Sequence, residues 1–156
     1  MEPSESVKAT GISGKIHWID THAHLDSDEF AGENVLSAIM ERAHTSGAIG
    51  VLIPSVDIVS LRRVRRIVME SERTDSEVSL RFGAGIQPHS THEVRPDDWP
   101  ELSETSKDPY CVAIGEIGLD YYHDFSPPET QRECFVRQLR LARQRNLPVL
   151  IHCREG

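Results

Sequence analysis

A chain of 156 residues that is 38% apolar has the size of one globular domain and can bury roughly 70% of the surface its unfolded form exposes, which excludes a disordered tail and a mini-protein. Seventeen lysines and arginines against twenty-five aspartates and glutamates leave a formal charge of −8. That balance excludes a general basic footprint for gripping nucleic acid along its backbone, so a phosphate ligand here needs a metal or local arginines.

Cys111, Cys134 and Cys153 are odd in number and lack the spacing of a zinc cage, and two of them lie in apolar surroundings, so a reducing compartment is expected rather than a disulfide framework. The first residues lack the apolar core of a signal peptide, and no window approaches the ~20 apolar residues of a membrane span. A cytoplasmic location and no membrane partner are the resulting expectations.

Met1–Gly14 carries serine, glutamate and glycine without apolar periodicity and reads as a flexible leader, with the domain over residues 15–156. Ile16–Asp20 is expected as a short buried strand running into T-H-A-H-L-D, where a period of two puts Asp20, His22 and His24 on one side. Two imidazoles one residue apart can converge on one cation; an H-x-H pair also arises by chance, and its place directly after an apolar strand favours the ligand reading. Val35, Leu36, Ile39, Met40 and Ala43 recur at helical spacing and stop at Gly47, a C′ glycine, before a second strand over Ala48–Pro54. Asp57 is placed to cap a helix whose buried stripe is Ile58, Leu61, Val64 and Val68, leaving Arg62, Arg65, Arg66 and Arg73 on a solvated face.

Val78–Ile86 reads as a third strand closed by G-I-Q-P-H-S, with Pro88 leaving Gln87 and His89 in the loop beyond its end; His89 there is either solvated or a substrate contact. Pro96–Asp108 reads as a turn and a short helix. Cys111–Glu116 is a fourth strand in which Val112, Ile114 and Glu116 share a face, so a carboxylate stands in line with core side chains. Glu116 on its own could cap the next segment or pair with an arginine; three histidines at other strand ends favour a functional role. Ser126-Pro127-Pro128-Glu129 predicts a helix start with a capping box, continued by the stripe Phe135, Leu139, Ala142 and ended by Asn146. Leu147–Ile151 is a fifth strand that delivers His152, Cys153 and Arg154. Such strand–helix alternation implies a parallel sheet with helices outside and chemistry at the C-terminal strand ends, where His22, His24, Glu116 and His152 all fall.

That set suits two divalent cations about 3.5–4 Å apart bridged by a carboxylate, an arrangement that activates water and clamps a phosphate. The motifs I-D-T-H-A-H-L-D, G-I-Q-P-H, A-I-G-E-I-G-L-D-Y-Y, Q-R-E-C-F-V-R-Q-L-R-L-A and N-L-P-V-L-I-H-C-R resemble the TatD-type metal-dependent deoxyribonucleases. The resemblance implies an α/β fold, a (β/α)8 TIM barrel of the metal-dependent hydrolase type, of which about the first five strands are present. It implies a hydrolase of phosphoester bonds with DNA as partner and with Zn, Mn or Mg as the two cations. By the same resemblance His22 and His24 hold the first cation, Glu116 bridges and carries the catalysis, His152 holds the second, and His89 and Arg154 meet the substrate. The family usually has a histidine where this chain has Gln87, and takes a further histidine and aspartate from strands beyond the fifth. An incomplete barrel would expose sheet edges open to self-association. Two other readings stay open: a truncated, non-catalytic remnant that binds metal or associates, and a related metal-dependent hydrolase of amide or ester bonds.

Overall fold

The computed structural model describes residues 16–30, 32, 34–74 and 76–156; the leader read over Met1–Gly14 lies outside them. Five strands, β1 (Trp18–Asp20), β2 (Ala48–Pro54), β3 (Ser79–Gly83), β4 (Cys111–Asp120) and β5 (Val149–Arg154), form a single sheet in chain order. Every neighbouring pair is parallel, and the sheet curls into a half-barrel with helices on its outside. Parallel neighbours need crossovers, and these are α1 (Val35–Ser46), α2 (Ile58–Ser71), α3 (Asp98–Thr105) and α4 (Pro128–Arg145).

Local chemistry sets the helix ends. Gly47 closes α1 at φ 105°, its N–H returning to the carbonyls of Ala43 and His44, a conformation that glycine adopts without steric cost. Asp57 caps α2 by accepting the Ser60 N–H at 2.7 Å, and the expected stripe of Ile58, Leu61, Val64 and Val68 is buried. These residues pack on Val51, Ile53, Leu80 and Phe82 of β2 and β3 in one core. The arginines off that stripe are exposed and partly paired, Arg62 with Glu101 and Arg65 with Asp108. Asn146 ends α4 in the left-handed region at φ 54°.

The start of α4 and part of its stripe differ from the reading, although Ala142 is buried and Phe135 packs against the core as expected. Ser126 does not cap the helix: the position before α4 is Pro127, with no side-chain cap. The Ser126 hydroxyl instead donates to the His89 carbonyl at 2.9 Å, and Glu129 pairs with Arg132. The buried line of α4 is Gln131, Cys134, Gln138, Leu141 and Ala142, while Leu139 reaches solvent. Two glutamines replace apolar residues because both side chains bond backbone. Gln138 Oε1 accepts the Ile86 N–H at 2.8 Å and its Nε2 donates to the Ile86 carbonyl at 2.9 Å. Gln131 does the same to Asp120, accepting at 2.8 Å and donating at 2.9 Å. Each glutamine thus bonds the backbone of a site-bearing segment from the helix layer as a neighbouring strand would, and leaves no buried amide unsatisfied.

β4 runs on past Glu116 to Asp120, and β3 is shorter than Val78–Ile86. A register shift between Ile114 and Ile117 resets β4 against β5, so that Gly118 faces His152 and Asp120 faces Arg154. Gly118, at φ 150°, tolerates no side chain: an added Cβ would lie 1.8 Å from the His152 carbonyl oxygen. Gly118→Ala should therefore push β5 away and cost about 1–3 kcal/mol, the usual range for overpacking. Urea unfolding of the variant checks this, and an unchanged midpoint would mean that the two strands separate freely here.

Candidate functional site

Five segments meet at the C-terminal edge of the sheet. The chain leaving β1 keeps pairing with β2 through Ala23 N–H to Leu52 O at 3.1 Å, and the Asp20 carboxylate accepts the His22 N–H at 2.9 Å. This turn sets His22 and His24 side by side, their rings 5.0 Å apart. Ser55, fully buried after β2, ties three strands: its hydroxyl bonds Gly85 N and O at 2.8 and 2.9 Å, and its carbonyl accepts the Glu116 N–H at 2.8 Å. Glu116 is thereby fixed by its backbone before its side chain makes any contact.

The Glu116 carboxylate faces imidazoles on both sides. Oε2 lies 3.3 Å from His22 Nε2 and 3.4 Å from His24 Nε2, while Oε1 lies 3.0 Å from His152 Nδ1. The other nitrogen of His152 reaches Asp120 Oδ2 at 2.9 Å. Asp120 has no solvent exposure. Its Oδ1 accepts the N–H groups of Tyr122 and His123 at 3.1 and 2.9 Å. Its Oδ2 lies 2.7 Å from His89 Nε2 and 3.1 Å from His123 Nδ1. Ligand-type atoms of His22, His24 and Glu116, and again of His89, Asp120 and His152, lie within 4.8 Å of one another.

The structure thus brings together His22, His24, Glu116, His152 and His89 of the expected set. His89, read as a substrate contact, sits in the 3-10 turn Pro88–Glu93 and points at Asp120, with its backbone held by Ser126. Arg154 stands outside the cluster with its guanidinium 3.9 Å over the Tyr122 ring. Gln87 enters through its backbone, its N–H bonding Val56 O at 2.9 Å. Beside His24 the site opens into a cleft of about 360 Å³ lined by Asp26, Ser27, Val56, Asp57 and Arg63. The sequence reading missed Asp120 and His123. The signal for Asp120 was present, since on an extended strand residues 116 and 120 share a face.

Burial works against charge on both carboxylates, and polar contacts outweigh it. Glu116 is pushed up by burial, yet the His24 and His152 hydrogen bonds and the nearness of His22 bring it down to about 2. Asp120 is pushed up likewise but is held well below the usual range by the His123 N–H and the imidazoles of His89, His123 and His152. The Glu116 carboxylate raises His24. Burial raises Cys111 to about 11 and Cys134 to about 12, so neither supplies a thiolate.

Two anionic carboxylates are therefore buried with no lysine or arginine paired to either among the described residues; histidines alone face them. A neutral imidazole donates from one nitrogen only, so such a set has more lone pairs than protons. The donor chemistry, nitrogen and carboxylate oxygen from buried side chains, fits divalent cations.

Because the Glu116 pKa falls from 4.5 unfolded to about 2 folded, its stabilising contribution is complete above pH ~4.5 and is lost as pH drops towards ~2. In chelator, the wild-type protein should lose stability across that window more steeply than Glu116→Gln, as followed by circular dichroism. Parallel acid limbs would show that the imidazoles do not hold this charge.

A profile of the TatD related DNase family matches residues 19–156. A 3'-5' ssDNA/RNA exonuclease TatD of Escherichia fergusonii is 32% identical over 137 residues, covering 88% of this chain and 50% of the relative. An uncharacterized metal-dependent hydrolase, YabD of Bacillus subtilis, is 31% identical over 88% of this chain and 51% of its own. Among solved structures, a hydrolase TatD family protein from Entamoeba histolytica superposes with a TM-score of 0.81 at 26% identity, over 89% of this chain and 50% of that one. The chain spans about half the length of the relatives it matches. No helix among the described residues is long and apolar enough to cross a membrane.

Proposed function

The chain belongs to the TatD related DNase family, and from that premise we propose that it serves a divalent-cation-dependent hydrolase of phosphodiester bonds in single-stranded DNA or RNA. The observation that supports this most is the convergence of buried Glu116 and Asp120 with His22, His24, His89 and His152, with no lysine or arginine partner among the described residues. His22, His24 and Glu116 would hold one cation and His89, Asp120 and His152 a second, with the two Glu116 oxygens facing the two sides. When bound, such cations supply Lewis-acid polarisation of a phosphoryl oxygen and a lowered pKa for water.

The side chains have separable tasks. Glu116 stays anionic at neutral pH and joins the two halves of the cluster. Asp120 stays anionic in that range: its Oδ1 is occupied by backbone N–H groups, and its Oδ2 faces the His89 and His152 nitrogens that would share a cation with it. Arg154 rests its guanidinium over the Tyr122 ring, and the edge of that planar fork suits a pair of phosphate oxygens. A chain of net charge −8 repels a polyanion at long range, so local cations must supply the attraction.

The test is to strip the protein with chelator and restore Mg²⁺, Mn²⁺ or Zn²⁺ before offering single-stranded DNA, RNA, duplex DNA, and amide and ester substrates. Single strands should be degraded only after metal is restored. Glu116→Gln should lower kcat at least about 100-fold with the fold retained. Arg154→Ala should raise KM by roughly tenfold, the loss of one charge-assisted contact. Cleavage that survives chelation, or full turnover by Glu116→Gln, would remove the metal-dependent reading; turnover of amides alone would shift the substrate class.

A further inference from the structure

The turn that follows β4 carries Tyr121, Tyr122, His123, Asp124 and Phe125 before the buried Ser126. Three aromatic side chains within five residues, all exposed, is an unusual use of apolar surface: Tyr122 is 56% and Phe125 57% exposed, and Tyr121 37%. They do not belong to the core beneath α4, whose buried line runs through Gln131, Cys134 and Gln138. Nor are they scattered. The rings of His123 and Phe125 stack at 5.2 Å with 12° between planes, and Tyr122 meets His123 edge-on at 4.8 Å. Phe125 stands 4.9 Å from His89, which is 5.4 Å from His152. A continuous ring surface therefore begins at the carboxylate cluster and runs outward to solvent, with Arg154 seated on Tyr122 at its edge.

His123 anchors this surface. Its Nδ1 lies 3.1 Å from Asp120 Oδ2, so its ring position is tied to the carboxylate that faces His89 and His152. A stacked pair of rings, His123 and Phe125, fixed beside a phosphate-type site, walled by Tyr122 and the Arg154 guanidinium, matches the chemistry of an unpaired nucleobase, whose face is open to stacking; in a duplex that face is already covered by its neighbours.

We propose that Phe125, His123 and Tyr122 form a stacking platform for the unpaired base next to the phosphate held at the Glu116 and Asp120 cluster, making this turn a determinant of single-strand preference. This rests on the nucleic-acid reading above. Because every base presents a π face, the platform discriminates paired from unpaired nucleotides and is tolerant of sequence.

Fluorescence anisotropy tests it on the unsubstituted protein with Mg²⁺, using a labelled phosphorothioate oligothymidylate, whose backbone resists cleavage, and an abasic oligomer with the same backbone. The oligothymidylate should bind about five- to a hundredfold more tightly, the range expected for one or two stacked bases. Phe125→Ala should erase that ratio and Phe125→Trp restore it. The exposed ring should leave the melting temperature near that of the parent, and Tyr122→Ala serves as the second variant if Phe125→Ala does not fold. A ratio near one in the parent, or a ratio kept by both alanine variants, overturns the platform while leaving the hydrolase reading in place. Failure of both oligomers to bind the parent overturns the nucleic-acid reading and the platform with it.

Discussion

The fully buried carboxylate of Asp120 is the constraint on which the rest of this structure depends. A carboxylate without exposure survives as an anion only when hydrogen bonds replace its lost water. Here two N–H groups of the following turn meet one oxygen, and imidazoles of three histidines surround the other. Those partners come from the β3–α3 loop, the β4–α4 turn and β5, so satisfying one charge fixes the relative positions of three segments. Gln131 completes the arrangement by bonding both backbone groups of Asp120 from α4. Loss of that carboxylate would leave three imidazoles without a common partner.

Glu116 depends on the same frame from the other side. Its backbone is held by Ser55, and its side chain shares His152 with Asp120. Gly118 sits between the two carboxylates, and its missing side chain lets β5 approach closely enough for His152 to touch both. Packing, register and electrostatics are thus set together within five residues of one strand.

Much of this was legible because it was written in periodicity and turn chemistry. The α2 stripe, the Asp57 cap, the Gly47 and Asn146 helix ends and the alternation of strands with helices all follow from local rules. His22, His24, Glu116 and His152 were readable as strand-end residues. What escaped was polar burial. Gln131 and Gln138 broke the apolar pattern of α4 because their value lies in hydrogen bonds to backbone, of Asp120 across the preceding turn and of Ile86 far away in sequence. Ser126 carried every local mark of a cap, yet its hydroxyl serves the His89 loop instead. Asp120 escaped because β4 was ended at Glu116, and a strand read four residues longer would have placed both carboxylates on one face. Tertiary partners decide the cases of Gln138 and Ser126, whereas Asp120 needed only a longer reading of β4.

The proposal that these side chains hold divalent cations can be tested by anomalous diffraction from crystals grown with Mn²⁺. Peaks are predicted within about 2.0–2.6 Å of carboxylate oxygens of Glu116 and Asp120, with histidine nitrogens completing each shell. Saturating Mn²⁺ that leaves both carboxylates without an anomalous peak, their imidazole contacts intact, would contradict it.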